Sequence, residues 1–258
     1  HHLVGRGIVP TVDNFGVLGR PPSNQELLDW ISATFREDDW SVKRLIRRIV
    51  LSATWRMDSR VSDPSAEEAD PANVHLHRMN VVRLQGEAIR DSVLALSGRL
   101  DLKMYGRSVD QHLTAFMTGR GRPGRSGPLD GNGRRSIYIA VRRNFLDPLF
   151  LAFDGPMTHT TTGRRSVSNV PAQALALMND PFIRQESKRW AERMVESERD
   201  RDQRLDTMYI AAFARRPSAE EREAIMGFLS EQGRARGKRD DAWHDDVATW
   251  SDLAHVLY

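Results

Sequence analysis

Val170-Pro171-Ala172-Gln173-Ala174-Leu175-Ala176-Leu177-Met178-Asn179-Asp180-Pro181 is the stretch on which the fold turns. The first N–H groups of a helix have no intrahelical partner, so proline costs nothing there, and Val170-Pro171 predicts a helix start. Asn169 or Ser168 is its expected cap, and Leu175, Leu177 and Met178 are its core candidates. Asp180-Pro181 restarts a second helix that should run to about Glu198. Beyond it, Asp202 to Ala214 reads as another, with Leu205, Met208, Tyr209 and Ala212 inward. Ser218-Ala219-Glu220-Glu221 is a capping box opening a helix through Leu229. A charged connection, Arg234 to Asp241, then leads to Trp243, Val247, Trp250, Leu253 and Leu257, whose spacing marks one buried helical face.

Working back toward the start, the same grammar recurs. Ser23-Asn24-Gln25-Glu26 reads as a capping box, followed by Leu27, Leu28, Ile31 and Phe35 on one face. Ser41 caps a helix with Val42, Leu45, Ile46, Ile49 and Val50 inward. Its outer stripe, Lys43, Arg44, Arg47 and Arg48, is either a solvated face or a surface for an anionic partner. Gly86 to Ser97 should be helical, with Ile89, Val93 and Leu96 inward and Gly98 as a left-handed C-cap. A short helix is expected from about Asn144 to Phe153. Two pieces read as extended: Val74 to Leu84, and Ser136 to Val141, whose residues are β-branched and aromatic. Residues 57–73 and 118–133, rich in turn formers, read as flexible loops. The predicted fold is mainly α, a multi-helix globular domain with short β pieces, drawn as one domain over 1–258. The terminal helical pattern has no stop signal, which points to a fragment of a longer polypeptide whose targeting signal is not legible here.

Composition removes whole classes of chemistry. The chain has no cysteine, so a Cys-x-x-Cys redox pair, a covalently attached c-type haem and a thiolate zinc site are excluded. No apolar run reaches the roughly 20 residues that span a bilayer, so no membrane insertion is expected. The 38 basic residues nearly balance the 35 acidic ones. All but Lys43, Lys103, Lys188 and Lys238 of the basic residues are arginine. That balance, and the lack of aromatics between Arg120, Arg122 and Arg125, argue against a nucleic-acid partner. Gly-x-Ser-x-Gly, His-Glu-x-x-His and Walker patterns are missing, so the common hydrolase and nucleotide templates do not apply.

The densest polar grouping is Arg142, Arg143 and Asn144 with Asp154, His159, Arg164 and Arg165. If it converged beside a helix N-terminus, the arginines would bind phosphate, sulfate or carboxylate. Catalysis would need His159 as general acid or base, oriented by Asp154. Equally, the arginines could pair with acidic neighbours and helix C-termini to lock loops onto the body. Glu87, Arg90 and Asp91 lie on one helix face and form either a structural ion pair or an acid/base pair. His75 and His77, if extended, would aim to one side as two ligands without an evident third, so no metal is assigned. No cofactor is expected in this segment.

His1 to Thr11, Leu51 to Arg56, Glu87 to Ser92, Arg134 to Tyr138, Arg142-Arg143-Asn144, Arg164-Arg165, Val170 to Leu175 and Arg215-Arg216-Pro217 carry a specific resemblance, in order, over nearly the whole chain. The chain resembles the planctomycete-specific domain, also called domain of unknown function fifteen-fifty-three. That resemblance implies the C-terminal part of a long extracytoplasmic protein of the periplasm or cell surface. Its implied partners are preceding domains of the same polypeptide, among them a c-type cytochrome domain. Some members carry a cysteine just before the paired arginines, where this chain has Gly163, so no thiol role transfers. The expected function is a non-redox interaction or scaffold module, with an arginine pocket for an anionic glycan. The alternative is an enzyme acting on a sulfated or anionic polysaccharide.

Overall fold

The computed structural model describes residues 1–258 except Ser62, Met157, Arg199, Asp240 and Asp241. Among the described residues there are ten α-helices and no sheet, so the mainly α reading stands. The chain divides into two compact units. One holds His1–Arg83 with Thr160–Arg165, the other Leu84–His159 with Ser166–Tyr258.

The first unit contains α1 (Gln25–Glu37), α2 (Val42–Val50) and α3 (Pro64–Ala69). Asn24, not Ser23, caps α1: its Oδ1 accepts the Leu27 N–H at 2.9 Å. Asparagine caps as well as serine does, so the neighbouring hydroxyl held no advantage. Ser41 caps α2 as expected. Helix α3 corrects the loop drawn over 57–73, of which Ser62 lies outside the described residues. Asp63 accepts the Ser65 N–H at 2.9 Å and Pro64 takes the first turn, so the helix starts locally despite having no apolar face. The segment after α3 is anchored by the buried Asn73, which donates to the Arg78 carbonyl at 2.8 Å and to Asn80 Oδ1 at 3.0 Å. The first part of the segment read as extended, residues 74–78, is not extended. Leu76 sits in the left-handed region at φ 57°, which folds the segment into turns.

The second unit is built on α4 (Gly86–Leu96), α5 (Pro148–Ala152), α6 (Pro171–Asn179), α7 (Pro181–Ser197), α8 (Arg201–Phe213), α9 (Ala219–Ala235) and α10 (Val247–Leu257). Each helix from α7 to α10 opens on a side-chain cap: Asp180, Asp200, Ser218 and Asp246. The Ser218 and Glu221 capping box is complete. Asp200, not Asp202, starts α8, and α9 continues to Ala235, so it takes in the first residues of the connection read as a linker, whose Asp240 and Asp241 lie outside the described residues. One core joins Trp190 and Met194 of α7, Leu205 and Met208 of α8, Leu229 of α9, and Trp250 and Leu253 of α10. A second joins Val93 and Leu94 of α4, Leu149 and Phe153 around α5, and Phe182 and Ile183 of α7. Helix α7 serves both, which is why it is buried on two sides.

Two readings within this unit are corrected. Leu175 and Met178 are exposed, and Gln173 is the buried residue of α6, its amide donating to Ser168. The expected strand at 136–141 is a single tight helical turn over Ser136–Tyr138, with one isolated parallel bridge from Ile139 to Val109. A strand needs a neighbouring edge along its length. Here the Ser136 N–H goes instead to the Asp91 carboxylate at 2.7 Å, the Tyr138 and Ile139 amides close short local turns, and pairing is confined to Val109, which donates to the Tyr138 carbonyl and accepts the Ala140 N–H. The second half of the loop drawn at 118–133 is packed. Gly133 has φ 72°, and a Cβ there would sit 2.2 Å from the Arg99 carbonyl oxygen, so only glycine fits the approach.

Candidate functional site

The sequence-predicted residues fall on both units. Arg142, Arg143, Asn144, Asp154 and His159 belong to the second, Arg164 and Arg165 to the first. Arg142, Arg143, Asn144, His159 and Arg164 are exposed, and Arg165 and Asp154 partly buried. Arg142 reaches Asp110 at 3.6 Å, a solvent-facing pair of little weight. Asp154 sits at φ 56° and accepts both the Ser168 N–H and its hydroxyl at 2.8 Å. That carboxylate anchors the segment that leads into α6. In the first unit, the Gly163 N–H donates to Asp13 at 2.7 Å, so the backbone before Arg164 is tied to the N-terminal segment.

Arginine does most of its visible work inside the second unit. Arg90 of α4 is buried and donates to three groups: the Asp130 carbonyl at 2.7 Å, the Arg134 carbonyl at 3.0 Å and the Ser136 hydroxyl at 3.2 Å. Burial lowers its pKa from the usual arginine value, and Asp91 opposes that shift. Asp130 takes Arg99 at 3.0 Å and Arg189 at 3.1 Å, and Arg189 also reaches the buried Glu186 at 2.6 Å. Burial opposes ionisation of Asp130, but the bonds from Arg99, the Asn132 N–H and Arg189 hold its carboxyl below the ordinary range. The Arg90 and Asp91 side chains, with the Glu87 carbonyl, are therefore structural: they pin the 130–136 segment to α4. Its long-range partners, more than forty residues away in sequence, left no local signal.

His75 and His77 do not form a ligand pair. His77 Nε2 lies 3.1 Å from the Asp70 carbonyl and 3.4 Å from Glu67, while His75 uses its backbone N–H on Asp70. Among the described residues, no group of three His, Cys, Asp or Glu side chains is placed to hold a metal ion.

What sequence reasoning missed is a groove in the first unit. It encloses about 560 Å³ and is walled by Leu27, Trp30 and Ile31 of α1 and Leu45, Ile46 and Ile49 of α2. All of these but Trp30 are apolar positions read as inward, but they line an open cleft. Helix α2 buries no residue and α1 only Thr34, and Trp30 is 57% exposed. Trp40, Val42 and Leu51 are exposed as well.

Residues 1–229 match the family model PSD1, a protein of unknown function (DUF1553). The chain belongs to the PSD1 family. No curated protein and no solved structure matches it. The apolar groove of this PSD1 member lies wholly inside the matched span, as do all the sequence-predicted residues. No helix among the described residues is long and apolar enough to cross a membrane.

Proposed function

We propose that this PSD1 chain is a non-redox interaction module that docks onto preceding domains of the same extracytoplasmic polypeptide, a c-type cytochrome domain among them. The observation that carries the reading is the uncovered apolar face of α1 and α2. Both helices have sound caps and inward-type periodicity, yet α2 has no fully buried residue and α1 only Thr34. Apolar area left in water costs roughly 25 cal/mol for each Å², so a partner that covers it gains directly. The inner arginine network supports the scaffold half of the reading, because its cations are spent on holding loops to α4. The anion contacts for a glycan in this reading are Arg142, Arg143 and Asn144 of the second unit.

Hydrogen exchange on the full-length polypeptide tests it. Amides of α1 and α2 should exchange at least tenfold more slowly there than in the isolated segment, and Ile46→Asp should abolish the difference. Equal exchange in both would remove the docking claim.

A further inference from the structure

A second cavity, of about 510 Å³, lies in the other unit along the packed pair α7 and α10, beside the end of α9. Its character is opposite to that of the apolar groove. Arg184 and Lys188 stand one helical turn apart on α7 and are both exposed. Across from them, Ser251 and His255 stand one turn apart on α10. The His255 ring is fixed, since its Nε2 lies 2.9 Å from the Leu177 carbonyl and must donate to it.

Charge decides the ligand. Arg236 and Asp252 meet as a fork, at 2.6 Å and 3.0 Å, and cancel. Among the described residues the Arg184 guanidinium has no hydrogen bond or ion pair. Lys188 has only Glu192 at 3.7 Å, a solvent-facing pair along the helix surface that is easily given up. Two positive charges are thus left at the cavity with hydroxyl and amide groups around them. A planar guanidinium fork beside a mobile ammonium suits a tetrahedral oxyanion. A phosphate monoester brings close to two negative charges at neutral pH, whereas a carboxylate or a sulfate monoester brings one. The volume falls within the range of small-molecule sites, roughly 300–1,000 Å³.

We propose that the cavity between α7 and α10 binds a phosphate monoester carried on a small polar body, held by Arg184 and Lys188. The site is independent of the docking face, so either claim can fail alone.

Calorimetric titration of the full chain with a mannose phosphate monoester, mannose, a mannose sulfate monoester and inorganic phosphate provides the test. The phosphate ester should bind saturably, the sulfate ester at least about tenfold more weakly, and mannose not at all. Arg184→Gln with Lys188→Gln alters only exposed positions, so the thermal midpoint should hold. Affinity should fall about a hundredfold, tenfold for each lost charged contact. Arg142→Gln with Arg143→Gln should leave binding unchanged. No binding of the ester, binding that survives the Arg184 and Lys188 changes, or binding of inorganic phosphate without the ester would each overturn the proposal.

Discussion

Arg204 holds its guanidinium carbon 4.6 Å from the centre of the Trp250 ring, with the arginine side chain wholly buried. The same group donates to the Glu198 carbonyl at 3.0 Å and 2.6 Å and to the His244 carbonyl, and the Trp250 indole N–H also donates to the His244 carbonyl at 2.6 Å. One buried cation therefore ties the start of α8 to the turn before α10, and the tryptophan face makes up for part of its lost hydration.

Arg204→Met should destabilise the chain by about 3 kcal/mol, because it removes the donors to the Glu198 and His244 carbonyls and leaves the part-buried Glu198 carbonyl without them, while keeping the side-chain volume. Urea unfolding followed by circular dichroism reads this directly. An unchanged midpoint would show that the guanidinium is not needed there.

Gly133→Ala and Gly237→Ala separate strain from crowding. Both glycines have positive φ, but a Cβ at Gly237 meets open space while one at Gly133 meets the Arg99 carbonyl at 2.2 Å. The Gly237 substitution should cost about 1 kcal/mol, the ordinary left-handed penalty. The Gly133 substitution should cost about 3 kcal/mol or more, since backbone must move. Similar thermal midpoints for the two variants would contradict the packed reading of this loop.

Asp147 and Asp180 cap α5 and α7, accepting the Leu149 N–H at 2.9 Å and the Phe182 N–H at 2.8 Å. Burial raises both carboxyl pKa values, and Asp180 adds to the shift at Asp147. The folded state thus binds these protons more tightly than the unfolded chain. Their contribution favours folding at low pH and is lost as pH rises from the ordinary aspartate value through the raised one. Asp147→Asn keeps a capping oxygen without the charge, so it should raise the thermal midpoint at pH 7 and lose that gain in acid. A midpoint lowered at neutral pH would refute this.

Glu221 shows the reverse sign. The Arg215 guanidinium, at 2.7 Å, and the Ser218 N–H bring its carboxyl pKa down to about 2. Stability from this pair is present above the ordinary glutamate range and disappears as pH falls toward about 2. Carboxyl chemical shifts recorded against pH should place Glu221 near that value, and Arg215→Gln should move it upward. A titration midpoint that ignores Arg215 would exclude the ion pair as the cause.

Helix existence was legible to the extent that its causes were local. Pro171, Pro181 and the Ser218 capping box mark their helices because caps and first-turn prolines act within three or four residues. Legibility failed where a local signal was ambiguous, as with Asn24 beside Ser23. It failed again where burial was inferred from apolarity alone, as with Leu175 and Met178. The β-branched run at 136–141 misled because strand formation depends on an edge that this fold does not supply.

Taken alone, the amino-acid order determined a helical chain free of thiol chemistry, the starts of the helices at Pro171, Pro181 and Ser218, and its family, since each rests on residues close in sequence or on their types. Only the tertiary structure decided which polar groups meet. It spent Arg90 and Asp91 on Ser136, divided the arginine pairs between two units, left α1 and α2 with an open apolar face, and set Arg184 and Lys188 across from Ser251 and His255. Those encounters depend on chain segments tens of residues apart packing together, and no periodicity in the chain records them.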